Sequence, residues 1–136
     1  CQDRVYVFGG IPFNSYRDQQ QINHCYYYEP KRDLWPRIAN APYQISGWQA
    51  ETYVNRYMLV VGGSSNTVPG VFNEVVYVYD TQEDRWMRMD GTIAGGGYYN
   101  DCGVSIIGDM IYVTGGEGAG GSHNNYILTG QIVPNP

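Results

Sequence analysis

Positive charge is scarce in this chain. Eight lysines and arginines stand against 13 aspartates and glutamates, for a net charge of −5. The eight cations (Arg4, Arg17, Lys31, Arg32, Arg37, Arg56, Arg85 and Arg88) are scattered. Without a basic patch to meet a phosphate backbone, nucleic acid is not an expected partner. Long apolar runs are lacking too. None approaches the about 20 residues of a membrane helix, so no transmembrane segment is expected, and no signal peptide is recognisable. Cys1, Cys25 and Cys102 are too few and too far apart for a disulfide scaffold or a CxxC zinc site. Cys25 and Cys102 are expected to be buried thiols. Histidine is limited to His24 and His123, and no nucleophile turn accompanies them, so a hydrolytic triad has nothing to build on. No metal and no cofactor is expected.

What the sequence does hold is tyrosine, glycine and proline: 14 Tyr, 18 Gly and 7 Pro in 136 residues. That is the vocabulary of strands and tight turns. It is also repeated. VYVFGG (5–10), MLVVGG (58–63) and IYVTGG (111–116) place glycine doublets at 9, 62 and 115, a spacing of 53 twice over. Between doublets, YEPKRDLW (28–35) and YDTQEDRW (79–86) each set Tyr and Trp seven apart, at an offset of 51. The unit reads as four strands: GWQAETYV (47–54), YMLVVGG (57–63), EVVYVYD (74–80) and RWMRM (85–89). In the third, period-two alternation sets Val76 and Val78 on one side and Tyr77 and Tyr79 on the other. CYYYEP reads as the matching strand of the first unit, Tyr26 and Tyr28 on one face and Tyr27 on the other. Glycine doublets suit a strand end that bends sharply or passes close to another backbone. The tryptophans suit the space between stacked sheets, because one such sheet cannot bury both faces alone.

The doublets, the downstream Tyr and the Trp seven residues on resemble the kelch repeat, whose period is about 50 residues. The resemblance implies an all-β, kelch-type β-propeller of the galactose oxidase-like superfamily. Three, four and three strands are expected, about two and a half blades: a partial blade at 1–46, a complete blade and loop at 47–100, and a partial C-terminal blade at 101–136. Closed propellers use about 4–8 blades. The chain also starts at Cys1 in mid-blade. It therefore reads as the C-terminal part of a longer propeller, with the remaining blades on the same protein or on another chain.

Four chemistries can be weighed against these residues. GGEGAGG lacks the Lys-Ser/Thr of a phosphate loop, and Glu117 would repel phosphate. Galactose oxidase-like copper chemistry needs tyrosines and histidines together; His24 lies beside CYYY in a strand and His123 in a glycine-rich loop. The stretch GVSIIGDMIYVTGGEGAGG (103–121) is similar to the last blade of bacterial kelch-type N-acetylneuraminate epimerases (mutarotases). That resemblance implies Glu117 as acid/base and favours an extracytoplasmic location; Asp101, in the loop entering the same blade, is the next ionisable candidate. The resemblance is incomplete, since no Arg follows in GAGGSHNN. The fourth chemistry is recognition without catalysis, on loops held by rigid blades. Its candidates are Trp48, Asn66, Tyr98, Tyr99, Asn100, Asp101 and Glu117, aromatics beside amides and carboxylates that suit a protein or glycan ligand. This is the favoured function; a sialic acid mutarotase-like enzyme is the alternative. Of the three residues that follow a doublet, Ile11, Ser64 and Glu117, only the last is acidic.

Overall fold

A computed structural model describes residues 1–12, 20–65, 74–91, 93, 100–117, 123, 125 and 127–133. The described strands are β1 (Val5–Gly10), β2 (Ile22–Tyr28), β3 (Arg37–Ile38), β4 (Ser46–Tyr53), β5 (Tyr57–Ser64), β6 (Tyr77–Asp80), β7 (Arg85–Arg88), β8 (Gly103–Ile107), β9 (Met110–Thr114) and β10 (Ile127–Gln131). They form three antiparallel sheets in the orders β1-β2-β3, β4-β5-β6-β7 and β10-β9-β8. The all-β expectation holds. Two strands are shorter than the pattern suggested: β6 begins at Tyr77 rather than at Glu74, and β7 ends at Arg88 rather than at Met89.

The repeat is visible in the pairings. Tyr57 faces Asp80 across β5–β6, and Met110 faces Gln131 across β9–β10, with 57 and 110 again 53 apart. Each sheet thus reuses one set of positions. All six doublet glycines have left-handed φ, from 59° at Gly9 to 106° at Gly116, where a side chain is strained. At Gly9 a Cβ would also lie 2.9 Å from the carbonyl oxygens of Ile22 and Ile45. The doublets are therefore architecture.

Alternation along β5 splits the core in two. Leu59 packs with Val78 and Ile132, and Val61 with Cys102 and Val113, so both face the third sheet. Met58 and Val60 point the other way, toward the first sheet. There the filling is aromatic: Phe8 meets Trp86 edge-on at 5.1 Å, Tyr79 lies 5.7 Å from Phe8, and Trp48 stacks on Trp86 at 7°. Tyr79 is fully buried, and its hydroxyl donates to Asp84 Oδ1 (2.7 Å). Burial and that bond push its phenol well above the usual range. The same Asp84 oxygen accepts from the Ala39 N–H (2.8 Å), while Trp86 Nε1 donates to the Ala39 carbonyl (3.0 Å). So the Tyr–Trp motif locks its own hairpin and grips the preceding sheet.

In the first sheet the same motif is only half used. Tyr28 donates to Asp33 (3.0 Å) and stacks on Trp35 at 4.8 Å, but Trp35 stays 53% exposed. The expected filling between sheets applies to Trp86 and not to Trp35. Val5 and Val7, which match Met58 and Val60, are 57% and 42% exposed against 8% and 0%. No described sheet covers that face.

Arg56 and Asp80 close the second sheet from the side. Arg56 donates twice to the buried Asp80 carboxylate (3.0 and 2.6 Å), which also accepts from the backbone N–H groups of Gln82 and Glu83. The guanidinium, aided by those two N–H groups, lowers the Asp80 pKa to about 2. Cys25 and Cys102 are both buried, and burial raises the Cys102 thiol to about 11.

Candidate functional site

The three sheets bring a row of polar residues to the end marked by the glycine doublets of β1, β5 and the turn after β9. Gln21, 5% exposed just before β2, donates through Nε2 to Ser46 Oγ (2.7 Å) and to the Ser64 carbonyl (2.9 Å). Ser64 Oγ donates to Asn100 Oδ1 (3.4 Å), and Asn100 Nδ2 donates to Asp101 Oδ2 (3.1 Å). Asn100 and Glu117 exchange two backbone hydrogen bonds, 3.2 and 2.7 Å, and Glu117 forms a further bridge to His123. The row crosses from the first sheet to the third.

Local geometry explains why these residues meet. The Asp101 N–H donates to the Gly47 carbonyl (2.7 Å), tying the start of the third sheet to the start of the second. Gly47 has to be glycine: a Cβ there would collide with the Asn100 side chain. Asp101 takes the left-handed conformation (φ 54°) that Gly47 takes in the second sheet (φ 71°). Aspartate is among the few non-glycine residues that tolerate it. The chemical result is an exposed carboxylate on Asp101 and a half-buried Glu117, interleaved with hydroxyls and an amide. Such a set can accept from and donate to hydroxyl and amide groups of a ligand.

Of the candidates named from sequence, the fold groups Asn100, Asp101 and Glu117. Trp48 lies apart from them. Its half-buried indole donates to the Phe8 carbonyl (2.9 Å) and stacks on Trp86, inside the contact between the first and second sheets. Asn66, Tyr98 and Tyr99 lie outside the described residues. Gln21, Ser46 and Ser64 were not among the candidates. Ser64 had a signal, since it stands after its doublet where Glu117 stands after the third. Gln21, at the end of a polar run, had none. Among the described residues no three His, Cys, Asp or Glu are placed to hold a metal, and no helix is long and apolar enough to cross a membrane.

Sheets of this build, stacked face to face and joined through doublet ends, are blades of a β-propeller. Comparison with known proteins gives the type. The Kelch motif family model matches residues 52–90. N-acetylneuraminate epimerase of Yersinia enterocolitica is 33% identical over 76 residues, 53% of this chain and 19% of that protein. Kelch-like protein 24 of Rattus norvegicus is 29% identical over 101 residues, 74% of this chain and 15% of that protein. The solved structure of YjhT superposes with a TM-score of 0.76 at 20% identity, over 96% of this chain and 46% of that one. The chain carries a kelch repeat and has the blade fold of a kelch-type β-propeller. It spans under a fifth of the curated relatives it matches and about half of the solved one. Kelch repeats in general mediate protein interactions.

Proposed function

We propose that the chain contributes a non-catalytic recognition surface, in which the polar row from Gln21 to Glu117 receives a protein or glycan ligand. One observation carries this reading: Gln21, Ser46, Ser64, Asn100 and Asp101, drawn from the three repeats, are linked by hydrogen bonds at the loop end, and Glu117 joins them through the Asn100 backbone. Ser46 and Ser64 lie in β4 and β5, and hydrogen bonds tie Gln21 and Asn100 to them, which favours selective binding because these side chains have little freedom left to lose. Asp101 and Glu117 give it acidic character, so the ligand offers hydroxyl, amide or cationic donors.

A second reading has its own support in the 33% identity to an N-acetylneuraminate epimerase. Here Glu117 acts as acid/base at the anomeric hydroxyl of a sialic acid. The nearby polar groups hold the sugar, and an arginine for its carboxylate comes from outside the row. A glycan array, followed by NMR anomer exchange on N-acetylneuraminate, separates the two. Recognition predicts saturable binding that weakens about tenfold in Asn100→Ala and Asp101→Asn, with exchange at the uncatalysed rate. Accelerated exchange abolished by Glu117→Gln would replace the first reading with the second.

A further inference from the structure

Five aromatic side chains form a continuous file through the contact between the first and second sheets. Ring centre to ring centre, Trp48 lies 6.1 Å from Trp86, Trp86 5.3 Å from Tyr79, Tyr79 6.0 Å from Tyr6, and Tyr6 5.9 Å from Tyr27. Trp48 pairs with Gly62 at the doublet end of β5, two residues after Ser46 of the polar row. Tyr6 pairs with Tyr27 near the start of β1, at the opposite end. Bulk alone can be supplied by phenylalanine, as at Phe8. Every ring in the file is instead an indole or a phenol, the two aromatic side chains that lose an electron most readily. Hydrogen bonds give the file a direction. Both indoles donate to carbonyls, Trp48 to Phe8 (2.9 Å) and Trp86 to Ala39 (3.0 Å). A carbonyl takes no proton, so an oxidised indole there keeps its N–H and stays a strong oxidant. Tyr79 differs. Its buried hydroxyl donates to Asp84 Oδ1 (2.7 Å), on an exposed residue and within reach for proton transfer.

We propose that Trp48, Trp86, Tyr79, Tyr6 and Tyr27 carry oxidising equivalents away from the doublet end, with Asp84 as the proton acceptor at Tyr79. The oxidant is an organic peroxyl radical, a neutral species that suits an end bearing Asp101 and Glu117. It takes one electron from Trp48 and one proton from water, and leaves as a hydroperoxide. Trp86 refills Trp48, and Tyr79 refills Trp86, passing its phenolic proton to Asp84 as its electron leaves. Tyr6 then reduces the Tyr79 radical across 6.0 Å. Asp84 returns its proton to Tyr79, and the Tyr6 proton goes to water. Tyr27 repeats the exchange: Tyr6 regains a proton from water and Tyr27 releases one. A thiol in solution gives Tyr27 one electron and one proton and becomes a thiyl radical. In sum, one peroxyl radical and one thiol become one hydroperoxide and one thiyl radical. The Arg4 guanidinium, 4.3 Å above the Tyr27 ring, disfavours a radical cation there and leaves the neutral tyrosyl radical as the species that arrives.

The test starts the transfer at a chosen place. In the 136-residue protein carrying Cys1→Ser and Gln49→Cys, a ruthenium polypyridyl photo-oxidant is attached through the introduced thiol, at an exposed position beside Trp48. Cys25 and Cys102 are buried and stay unlabelled. After a flash, transient absorption should show a tryptophanyl radical that converts to a tyrosyl radical, more slowly in heavy water than in ordinary water. Tyr79→Phe should prolong the tryptophanyl radical at least tenfold, and Asp84→Asn should slow the conversion at least tenfold. The solvent comparison changes no residue of the file, so it decides the matter should either variant misfold. In the unlabelled protein, peroxyl radicals from a thermal azo initiator should oxidise Trp48 at least threefold more in Tyr79→Phe, read by peptide mass spectrometry with a thiol present. A tyrosyl radical formed at an unchanged rate in Tyr79→Phe, equal conversion in the two waters, or equal oxidation of Trp48 would each overturn the proposal.

Discussion

Between the first and second sheets the filling is aromatic; between the second and third it is aliphatic and leaves a hole. Both contacts use the same repeat positions. Tyr79 and Trp86 serve the first, sealed by two hydrogen bonds to the backbone of Ala39. Leu128 and Gly130, at the places of Tyr77 and Tyr79, serve the second, beside a cavity of about 260 Å³. The repeat fixes where a contact forms, while a few large side chains fix how well it is filled. Close packing is what separates the two, since a void forfeits the dispersion contacts its lining atoms would otherwise make.

The two contacts differ most in what their tryptophans contribute. Trp86→Ala should cost about 3 kcal/mol in urea unfolding, because it empties the aromatic contact and orphans the Ala39 carbonyl. Trp35→Ala, in the matching motif with its outer face open, should cost about 1 kcal/mol or less. Equal costs would refute the view that the sheet-to-sheet contact, rather than the hairpin, sets the value of this residue.

A middle-sized effect is expected at Asp80. Asp80→Asn should destabilise by about 2 kcal/mol, because Arg56 loses its charged partner and its other end is only partly exposed. The repeat makes this a comparison as well. Asp3 and Glu29 stand at the matching places of the first sheet, and Asp109 and Gln131 at those of the third, so the clamp exists once. The sign with pH follows from the lowered carboxyl. Its contribution is complete above the unfolded value of about 4, and is lost as pH falls toward the folded value of about 2. Thermal melts between pH 5 and pH 2 should show a steeper loss in the wild type than in Asp80→Asn.

The smallest effect tests the hole. Gly130→Ala should stabilise by about 0.5 kcal/mol, chiefly by restricting the unfolded chain. Ile111, the one neighbour crowded by the new methyl, itself lines the cavity and has room to shift. A clear loss of stability would mean that Gly130 is held to glycine by something other than the space behind it.

The fold was legible where one residue type answers one physical need. Left-handed backbone at 9–10, 62–63 and 115–116 requires glycine, so the doublets announced the frame. The Tyr–Trp spacing announced the hairpins. The candidate site was legible only in part. Asn100, Asp101 and Glu117 show as polar residues at strand ends, but their grouping depends on Gly47 admitting the Asn100 side chain. Gln21 joins by folding across to the second sheet, which no local pattern encodes. Trp48 looked like a ligand platform because a tryptophan near a strand start has the same letters whether it faces a ligand or a neighbouring sheet. Its hydrogen bond to the Phe8 carbonyl shows which group its indole meets.

The two bonds at Ala39 also bear on synthesis. The ribosome delivers a chain from its N-terminus, and stacked repeats gain stability from neighbour contacts. The carbonyl and N–H of Ala39 emerge more than 40 residues before Asp84 and Trp86, which seek them. The hairpin of the second sheet therefore closes onto backbone groups that have already left the ribosome.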